Sequence, residues 1–232
     1  MSSTTPRKVK IVAFDMDGVL VPHKNSWDLV HARFGVLREA EELALMFRRG
    51  EIDYYDWLYL STLLWLKASG GTASRRDLEE VFERVDVDPR FLDVIERLRS
   101  EGRKIVIVSC GVSVLVEKIA KRVKADEWHS SLLVFDPRGR LVPGGIPRVE
   151  AGGKGRVLLE VAERMRANRS ELAFVGDSVW DREAFAVAGL PILYGDDQVE
   201  AEVCARARSP EEILDIVSSY ERGALECEDR AK

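Results

Sequence analysis

Four short apolar segments that alternate with helical patterns are the strongest constraint on how this chain can fold. The segments are Lys10 to Phe14, Lys104 to Val108, Leu172 to Val175 and Pro191 to Tyr194. Such runs are typical of parallel strands that are buried on both faces. Helical patterns lie between them, over Val112 to Val123, Arg156 to Arg166 and Trp180 to Ala188. The alternation predicts an α/β fold with a doubly wound, Rossmann-like parallel sheet, which binds ligands at the carboxyl ends of its strands.

The interval between the first two strands departs from this alternation. From about Pro22 to Asp88 the sequence shows helical periodicity only. We therefore predict a helical cap domain inserted after the first strand. The predicted division is a cap over residues 21–88 and a core domain over residues 1–20 and 89–232. A β-hairpin is predicted over residues 131–142, because Asp-Pro-Arg-Gly at its centre favours a turn.

Acidic residues follow two of the predicted strands at the point where each strand ends. Asp15 and Asp17 close the first strand, and Asp177 and Asp181 follow the third. Burial of unpaired carboxylates is costly, so a cation or a shared proton is required. Oxygen ligands favour a hard cation such as Mg²⁺. A turn is the alternative for either motif alone, because Asp and Gly both favour turns, but two such strand ends weaken that alternative.

Two further segments could bind an anion. Ser109, Cys110 and Gly111 end the second strand and lead into a helix, whose first amides attract negative charge. Ser and Gly are also ordinary residues at a helix start. Lys154 lies among glycines before another helix, in a segment that otherwise uses arginine for positive charge. Its ammonium could sit between a carboxylate and a phosphate, or it could be a solvated loop residue.

Together and in this order, Asp15-x-Asp17-Gly, Ser109, Lys154 and Gly-Asp177-Ser-x-x-Asp181 resemble the four motifs of the haloacid dehalogenase superfamily. The insertion after the first motif resembles the helical cap of that superfamily. The likeness is greatest to its phosphoserine phosphatase branch. The resemblance implies a magnesium-dependent phosphomonoester hydrolase that acts on a small organic phosphate.

The resemblance also implies a role for each site residue. Asp15 would be the nucleophile that forms an aspartyl-phosphate, while Asp17 would protonate the leaving oxygen and then activate water. Mg²⁺ would be bound by the Asp15 side chain, the Asp17 carbonyl and Asp177, with Asp181 in support. The transferring phosphoryl group would be bound by Ser109, Lys154 and the amides near Cys110 and Gly111.

Three positions differ from the phosphoserine phosphatase branch. Lys24 lies where that branch has a glutamate for the substrate amine, Ser61 lies near its arginine for the substrate carboxylate, and Trp180 replaces an asparagine. We therefore do not expect phosphoserine as the substrate. Cap aromatic residues could stack on a ring-shaped organic phosphate, although they more commonly form a core. These residues are Trp27, Tyr54, Tyr55, Trp57, Tyr59 and Trp65.

Other functions stay open at this point. A phosphotransferase or phosphomutase of the same superfamily would use the same residues beneath a cap that excludes water. A phosphate-binding relative without turnover would keep the fold, although the intact carboxylates disfavour it. A phospho-accepting receiver module combines similar residues but is smaller and has no cap.

Composition limits the partners and the location. The net charge of −5 gives no electrostatic basis for binding nucleic acid. The longest apolar stretch, Trp57 to Leu66, is shorter than the roughly 20 residues that a membrane span needs. Met1 to Arg7 are polar and lack the apolar region of a secretory signal. We expect a cytoplasmic monomer or homodimer with a small-molecule substrate.

Two residue types suggest further properties. Cys110, Cys204 and Cys227 are widely spaced and odd in number, which predicts unpaired thiols. Side-chain amides occur only at Asn25, Asn168 and Gln198. Depletion of these thermolabile residues accompanies growth at high temperature, so a thermophilic source is a hypothesis.

Overall fold

A parallel sheet lies at the centre of the computed structural model, which describes residues 8–227. The strands in chain order are β1 (Ile11–Phe14), β2 (Lys104–Val108), β3 (Glu127–His129), β4 (Leu132–Phe135), β5 (Leu141–Ile146), β6 (Leu172–Gly176), β7 (Leu190–Tyr194) and β8 (Ala205–Ala207). Six of them form one sheet in the order β3-β2-β1-β6-β7-β8, and all neighbours in it are parallel. The predicted α/β class and parallel sheet are confirmed.

The helices cover both faces of this sheet. In chain order they are α1 (Ser26–Phe34), α2 (Leu37–Arg48), α3 (Tyr54–Ala68), α4 (Arg75–Val81), α5 (Pro89–Ser100), α6 (Ser113–Val123), α7 (Lys154–Arg164), α8 (Arg182–Val187) and α9 (Pro210–Glu221). We call α1 to α4, which lie between β1 and α5, the helical insertion. The predicted cap is therefore present as four helices, whereas its bounds as a separate domain stay a prediction.

Strand β1 shows why its sequence is apolar throughout. Val12 and Phe14 belong to one buried cluster, and Ile11 and Ala13 belong to the cluster on the opposite face. Alternate side chains of a strand point to opposite faces, so a strand between two helical layers needs apolar residues at every position. All four side chains are fully buried.

The order of the strands explains where a ligand can bind. β1 lies between β2 and β6, so connections leave it toward opposite halves of the sheet. This is the position at which doubly wound sheets open a crevice beyond the carboxyl ends of their strands. The residues that follow β1, β2 and β6 therefore meet at one edge.

The predicted hairpin is confirmed and packs against the helical insertion. β4 and β5 are antiparallel, and the second strand continues to Ile146. The Gly144 amide donates to Oγ1 of Thr62 in α3 at 2.7 Å, and the Leu141 amide donates to the Ala73 carbonyl at 2.8 Å. The hairpin thus joins the helical insertion to the second half of the chain.

The prediction of unpaired cysteines is wrong for two of the three. Cys204 and Cys227 form a disulfide with a Cα–Cα distance of 5.2 Å, and Cys110 is free. Their 23-residue separation hides the contact because β8 and α9 bring the chain back on itself between them. Between residues 8 and 227, the helices include none with the length and apolar character to cross a membrane. Met1 to Arg7, on which the expectation of no secretory signal rests, lie outside the described residues.

Candidate active site

Two carboxylates lie at the carboxyl end of β1 because the chain turns sharply there. Asp15 and Asp17 follow the strand, and both are at least nine-tenths buried. Gly18 then adopts a φ of +77°, which glycine tolerates because it has no Cβ. Its amide donates to the carbonyls of Val21 and His23, at 3.1 and 2.8 Å. This tight turn fixes both acids at the edge of the sheet.

Lys154 joins the acids of two strands. Its Nζ lies 2.7 Å from Oδ2 of Asp15 and 2.6 Å from Oδ1 of Asp181. The lysine side chain is 1% exposed, so these ion pairs are shielded from water. Oδ2 of Asp181 accepts hydrogen bonds from the amides of Asp177 and Ser178, each at 3.0 Å. Asp181 therefore positions both the lysine and the loop after β6.

Burial shifts the pKa values of these groups. It raises the pKa of Asp15 to about 7, although Lys154 opposes the shift. Burial also raises the pKa of Asp177 to about 6, with Asp181 adding to the shift. For Lys154 burial lowers the pKa, but the charges of Asp15 and Asp181 outweigh that effect and raise it. The lysine is thus charged, and the acids gain from any further positive charge placed beside them.

Asp17 is oriented by a residue that the sequence did not reveal. Oδ2 of Asp17 accepts from the Ser26 hydroxyl at 2.7 Å and from the Ser26 amide at 3.0 Å. The Ser26 Oγ in turn accepts from the Val112 amide at 2.9 Å. Within residues 8–227, Oδ1 of Asp17 has no hydrogen-bond partner, although it is buried. Burial raises the pKa of Asp17, and the Ser26 hydrogen bonds oppose that shift.

The loop after β2, which is predicted to bind the phosphate, is compact. Oγ of Ser109 accepts from the Gly111 amide at 3.0 Å, and the serine is 1% exposed. A Cβ on Gly111 would lie 2.8 Å from both Oδ2 of Asp17 and Oγ of Ser26, so only glycine permits this approach. Burial raises the pKa of the Cys110 thiol to about 12, so this cysteine is neutral and is not a nucleophile.

The donor set fits Mg²⁺. One carboxylate oxygen from each of Asp15, Asp177 and Asp181 lies within 4.8 Å of the others. These donors are oxygen atoms only, which suits a hard cation. Lys154 is the one buried ammonium among them, so the carboxylates carry excess negative charge that a divalent ion would balance. Gly18 contributes space, because a Cβ there would overlap Oδ2 of Asp177.

Nearly all the predicted site residues line one cavity of about 610 Å³ between the sheet edge and the helical insertion. Asp181 does not line it, since it is fully buried behind Lys154. The residues brought together at the cavity are Asp15, Asp17, Ser109, Cys110, Gly111, Lys154 and Asp177. Their roles as catalytic, phosphate-binding and metal-binding groups stay predictions.

The profile of the haloacid dehalogenase-like hydrolase family matches residues 9–189, which is more than half of the chain. The chain belongs to this family. Among curated relatives of this haloacid dehalogenase-like hydrolase, phosphoserine phosphatase from Archaeoglobus fulgidus is 26% identical over 93% of this chain and 61% of its own length. Phosphoserine phosphatase from Methanocaldococcus jannaschii is 25% identical over 91% of this chain and 99% of its own length.

The likeness extends to solved structures. A substrate-bound phosphoserine phosphatase complex has a TM-score of 0.73 and 24% identity, covering 90% of this chain and 98% of that chain. The chain therefore has the fold of the phosphoserine phosphatase-like branch, as its motifs predicted. It spans 61% of the Archaeoglobus relative, so it is shorter than some of the proteins that it resembles.

The three positions at which the hydrolase differs from that branch have different surroundings. Lys24 lines the cavity, forms a close ion pair with Asp197 and lies 3.8 Å from Oδ2 of Asp177. Trp180 also lines the cavity and is 44% exposed. Ser61 is fully buried outside it. The helical insertion instead contributes Arg48 to the cavity wall.

Sequence reasoning missed Ser26 and Arg48. Ser26 lies nine residues after Asp17, and a helix-start serine next to Asn25 has no feature that marks it as a partner of the acid. Arg48 is followed by Arg49, and only the end of α2 decides which of the two reaches the cavity. Helical periodicity could have placed Arg48 on the same face as Ala44, which also lines the cavity.

Proposed function

We propose that this protein is a magnesium-dependent phosphomonoester hydrolase that acts on a small organic phosphate through an aspartyl-phosphate on Asp15. The observation that carries the proposal is the convergence of Asp15, Asp17, Ser109 and Lys154 on one cavity at the carboxyl edge of the sheet. The relatives described as phosphoserine phosphatases support the reaction class.

In the first step a carboxylate oxygen of Asp15 attacks phosphorus, and the bond from phosphorus to the ester oxygen breaks. Asp17 donates its proton to that leaving oxygen, so the alcohol departs neutral. The raised pKa of Asp17 suits this role, because burial favours the protonated carboxyl. Its Oδ1, which has no hydrogen-bond partner among residues 8–227, would carry that proton.

In the second step a water molecule attacks phosphorus, and the bond between phosphorus and Asp15 breaks. Asp17, now ionised, accepts the proton from that water. Inorganic phosphate leaves, and both aspartates return to their starting protonation states. The hydroxyl and amide of Ser26 hold Asp17 in place through both proton transfers.

Several groups stabilise the negative charge of the transferring phosphoryl group. Lys154 contributes a fixed ammonium 2.7 Å from Asp15. The Ser109 hydroxyl contributes a hydrogen-bond donor at the same edge, since its Oγ accepts from the Gly111 amide and its proton is left for the phosphoryl group. Asp15 and Asp177 would bind Mg²⁺ with Asp181 behind them, and the ion supplies positive charge that reduces repulsion between the carboxylate and the phosphate.

Phosphate release from p-nitrophenyl phosphate and from a panel of metabolite phosphomonoesters tests the proposal. We expect turnover that requires Mg²⁺, is abolished by chelation and is lost in Asp15→Asn. Wild-type protein quenched with acid during turnover should carry a phosphoryl group on Asp15 by mass spectrometry. Asp196→Asn is the matched control, because Asp196 is 81% exposed and lies outside the cavity lining. Equal activity in Asp15→Asn and the wild type would refute the mechanism.

A further inference from the structure

The wall of the cavity that faces the catalytic edge is aromatic. Trp27 of α1, Phe47 of α2, and Tyr54 and Trp57 of α3 all line it. Their rings form one continuous cluster: the centroids of Trp27 and Trp57 are 4.7 Å apart, and those of Tyr54 and Trp57 are 5.6 Å apart. Phe47 contacts the same group, with its centroid 6.1 Å from that of Tyr54. These four aromatic residues therefore form both a small core within the helical insertion and part of the cavity wall.

The polar atoms of this wall are already engaged. Nε1 of Trp27 donates to the Cys110 carbonyl at 2.9 Å. The Tyr54 hydroxyl donates to Oγ of Ser131 at 3.0 Å, and that serine donates to a backbone carbonyl. Both aromatic residues are buried, with 4% and 6% of their surface exposed, so the ring surface open to a ligand on this wall comes from the partly buried Phe47 and Trp57. On the sheet side Trp180 adds a further indole, which is 44% exposed at the same cavity.

The charges outside the catalytic group are unsuited to an ammonium. Asp197 is the acid that remains there among the described residues lining the cavity, and Lys24 is paired with it. Arg48 lines the cavity without an ion pair or hydrogen bond among residues 8–227. An arginine with free donors attracts a carboxylate or a similar planar anion. Outside the catalytic group, a substrate amine would therefore have no unpaired carboxylate to bind among residues 8–227.

We infer that the substrate is a phosphomonoester whose leaving alcohol carries a planar ring, with an anionic substituent that binds Arg48 and with no ammonium. This inference rests on the proposed phosphatase function and specifies the substrate of the same site. The aromatic wall binds the ring through apolar contact and stacking. Arg48 distinguishes acidic rings from neutral ones. A substrate of this kind differs from phosphoserine, which carries an ammonium and has no ring.

Four alkyl phosphates test the inference, because their leaving alcohols avoid the high intrinsic reactivity of phenyl esters. They are phenethyl phosphate, its para-carboxylate derivative, ethyl phosphate and O-phosphoserine. We expect kcat/KM to be highest for the carboxylate derivative and at least about tenfold higher for phenethyl phosphate than for ethyl phosphate. Calorimetry with Asp15→Asn, in the presence of Mg²⁺, should give the same order of affinity without turnover.

Variants with matched controls locate the two contacts. Arg48→Gln should lower kcat/KM for the carboxylate derivative about fivefold, a modest effect because the arginine is exposed. The kcat/KM for phenethyl phosphate should not change, because that ester has no carboxylate for Arg48 to bind. Arg49→Gln is its control, because Arg49 lies outside the cavity lining. Trp180→Ala should lower kcat/KM for both ring esters but not for ethyl phosphate. Tyr55→Ala is the control for that loss, because Tyr55 is 59% exposed and does not line the cavity.

The outcomes separate this inference from the proposed function. Phosphoserine turnover equal to or faster than that of phenethyl phosphate, with activity lost in Asp15→Asn, would overturn the inference and leave the phosphatase intact. Equal effects of Arg48→Gln and Arg49→Gln would remove Arg48 from substrate recognition and overturn the inferred anionic substituent. Failure to hydrolyse any ester, including p-nitrophenyl phosphate, would overturn the proposed function and the inference with it.

Discussion

Gly18 lies so close to Asp177 that a Cβ at position 18 would overlap Oδ2 of the aspartate. The two residues come from loops after β1 and β6, which are neighbours in the sheet. The absence of a side chain at Gly18 therefore determines where the Asp177 carboxylate can lie. Glycine at position 18 thus serves both the turn, through its φ of +77°, and the proposed metal site.

Gly18→Ala should weaken Mg²⁺ binding, because the new methyl group displaces Asp177. It should also destabilise the fold by about 1–2 kcal/mol through its left-handed backbone. Gly35→Ala is the matched control: Gly35 has a φ of +69°, but a Cβ there meets nothing within 4 Å. Calorimetric Mg²⁺ titration and chemical unfolding of both variants check the prediction. Equal Mg²⁺ affinity in the two variants would contradict it.

Ser26→Ala should lower kcat while the substrate KM stays nearly constant, because the hydroxyl orients Asp17 and does not line the cavity. The variant keeps the amide hydrogen bond to Asp17 but loses the hydroxyl one, which lowers the pKa of that acid, so the pKa of Asp17 rises. Water activation needs ionised Asp17, and the acidic limb of the kcat profile should therefore move to higher pH. A pH–rate profile measures this shift. An unchanged acidic limb would show that Ser26 has no influence on the acid.

Ser61→Ala should leave activity unchanged and should maintain or raise the free energy of unfolding. Ser61 is fully buried, and its Oγ has no partner within the described residues. An unsatisfied buried hydroxyl costs roughly 1–3 kcal/mol, which alanine avoids. Urea unfolding measures the change. A loss of stability above about 1 kcal/mol would indicate that the hydroxyl has a stabilising partner.

His31 should make the stability of the protein fall in mild acid. Burial lowers the pKa of His31 from 6.5 to about 4, and its Nδ1 accepts from Nε1 of Trp65 at 2.9 Å. Between about pH 6.5 and 4, His31 binds a proton in the unfolded chain but not in the folded protein. Its contribution to stability is therefore complete above about pH 6.5 and is lost as the pH falls toward 4. The full loss is roughly 3 kcal/mol.

His31→Gln isolates this effect from the other titrating groups, because glutamine keeps an acceptor for Trp65 but does not titrate. Unfolding free energies at pH 7 and at pH 4.5 should differ more for the wild type than for the variant. Equal pH dependence of the two proteins would show that folding does not lower the pKa of His31.

Removal of the Cys204–Cys227 disulfide should destabilise the protein by roughly 3 kcal/mol, because the bond restricts the unfolded chain. Thermal unfolding with and without reductant should show a lower melting temperature for the reduced wild type. The double variant Cys204→Ser with Cys227→Ser should not respond to reductant. The same scan tests the thermophilic hypothesis, which a melting temperature within about 45–65 °C would contradict.

The central strands could be predicted from sequence, whereas the edge strands could not. β1 and β2 combine burial on both faces with β-branched residues, and this produces an unmistakable pattern. β3 and β8 have three residues each, and most of their side chains are only partly buried. Three residues are too few to show a hydrophobic periodicity. The helix predicted from Trp180 begins later, at Arg182, because a 3₁₀ turn over Val179–Asp181 precedes α8.

Site residues could be predicted where the signal is local in sequence, and could not where it depends on contacts between distant segments. Asp15 and Lys154 could be found because each stands in a short motif beside a strand or helix end. Their contact could be anticipated only through the family resemblance. The role of Ser26 and the Cys204–Cys227 disulfide depend on how separate elements pack together, which no local sequence pattern indicates.

Ser26 is the first residue of α1, so the helical insertion and the acid meet at one hydroxyl. Any displacement that lifts the start of α1 from the sheet removes that hydroxyl from Asp17 and from the Val112 amide at once. Asp17 is therefore oriented for proton transfer only while the start of α1 is seated against the sheet.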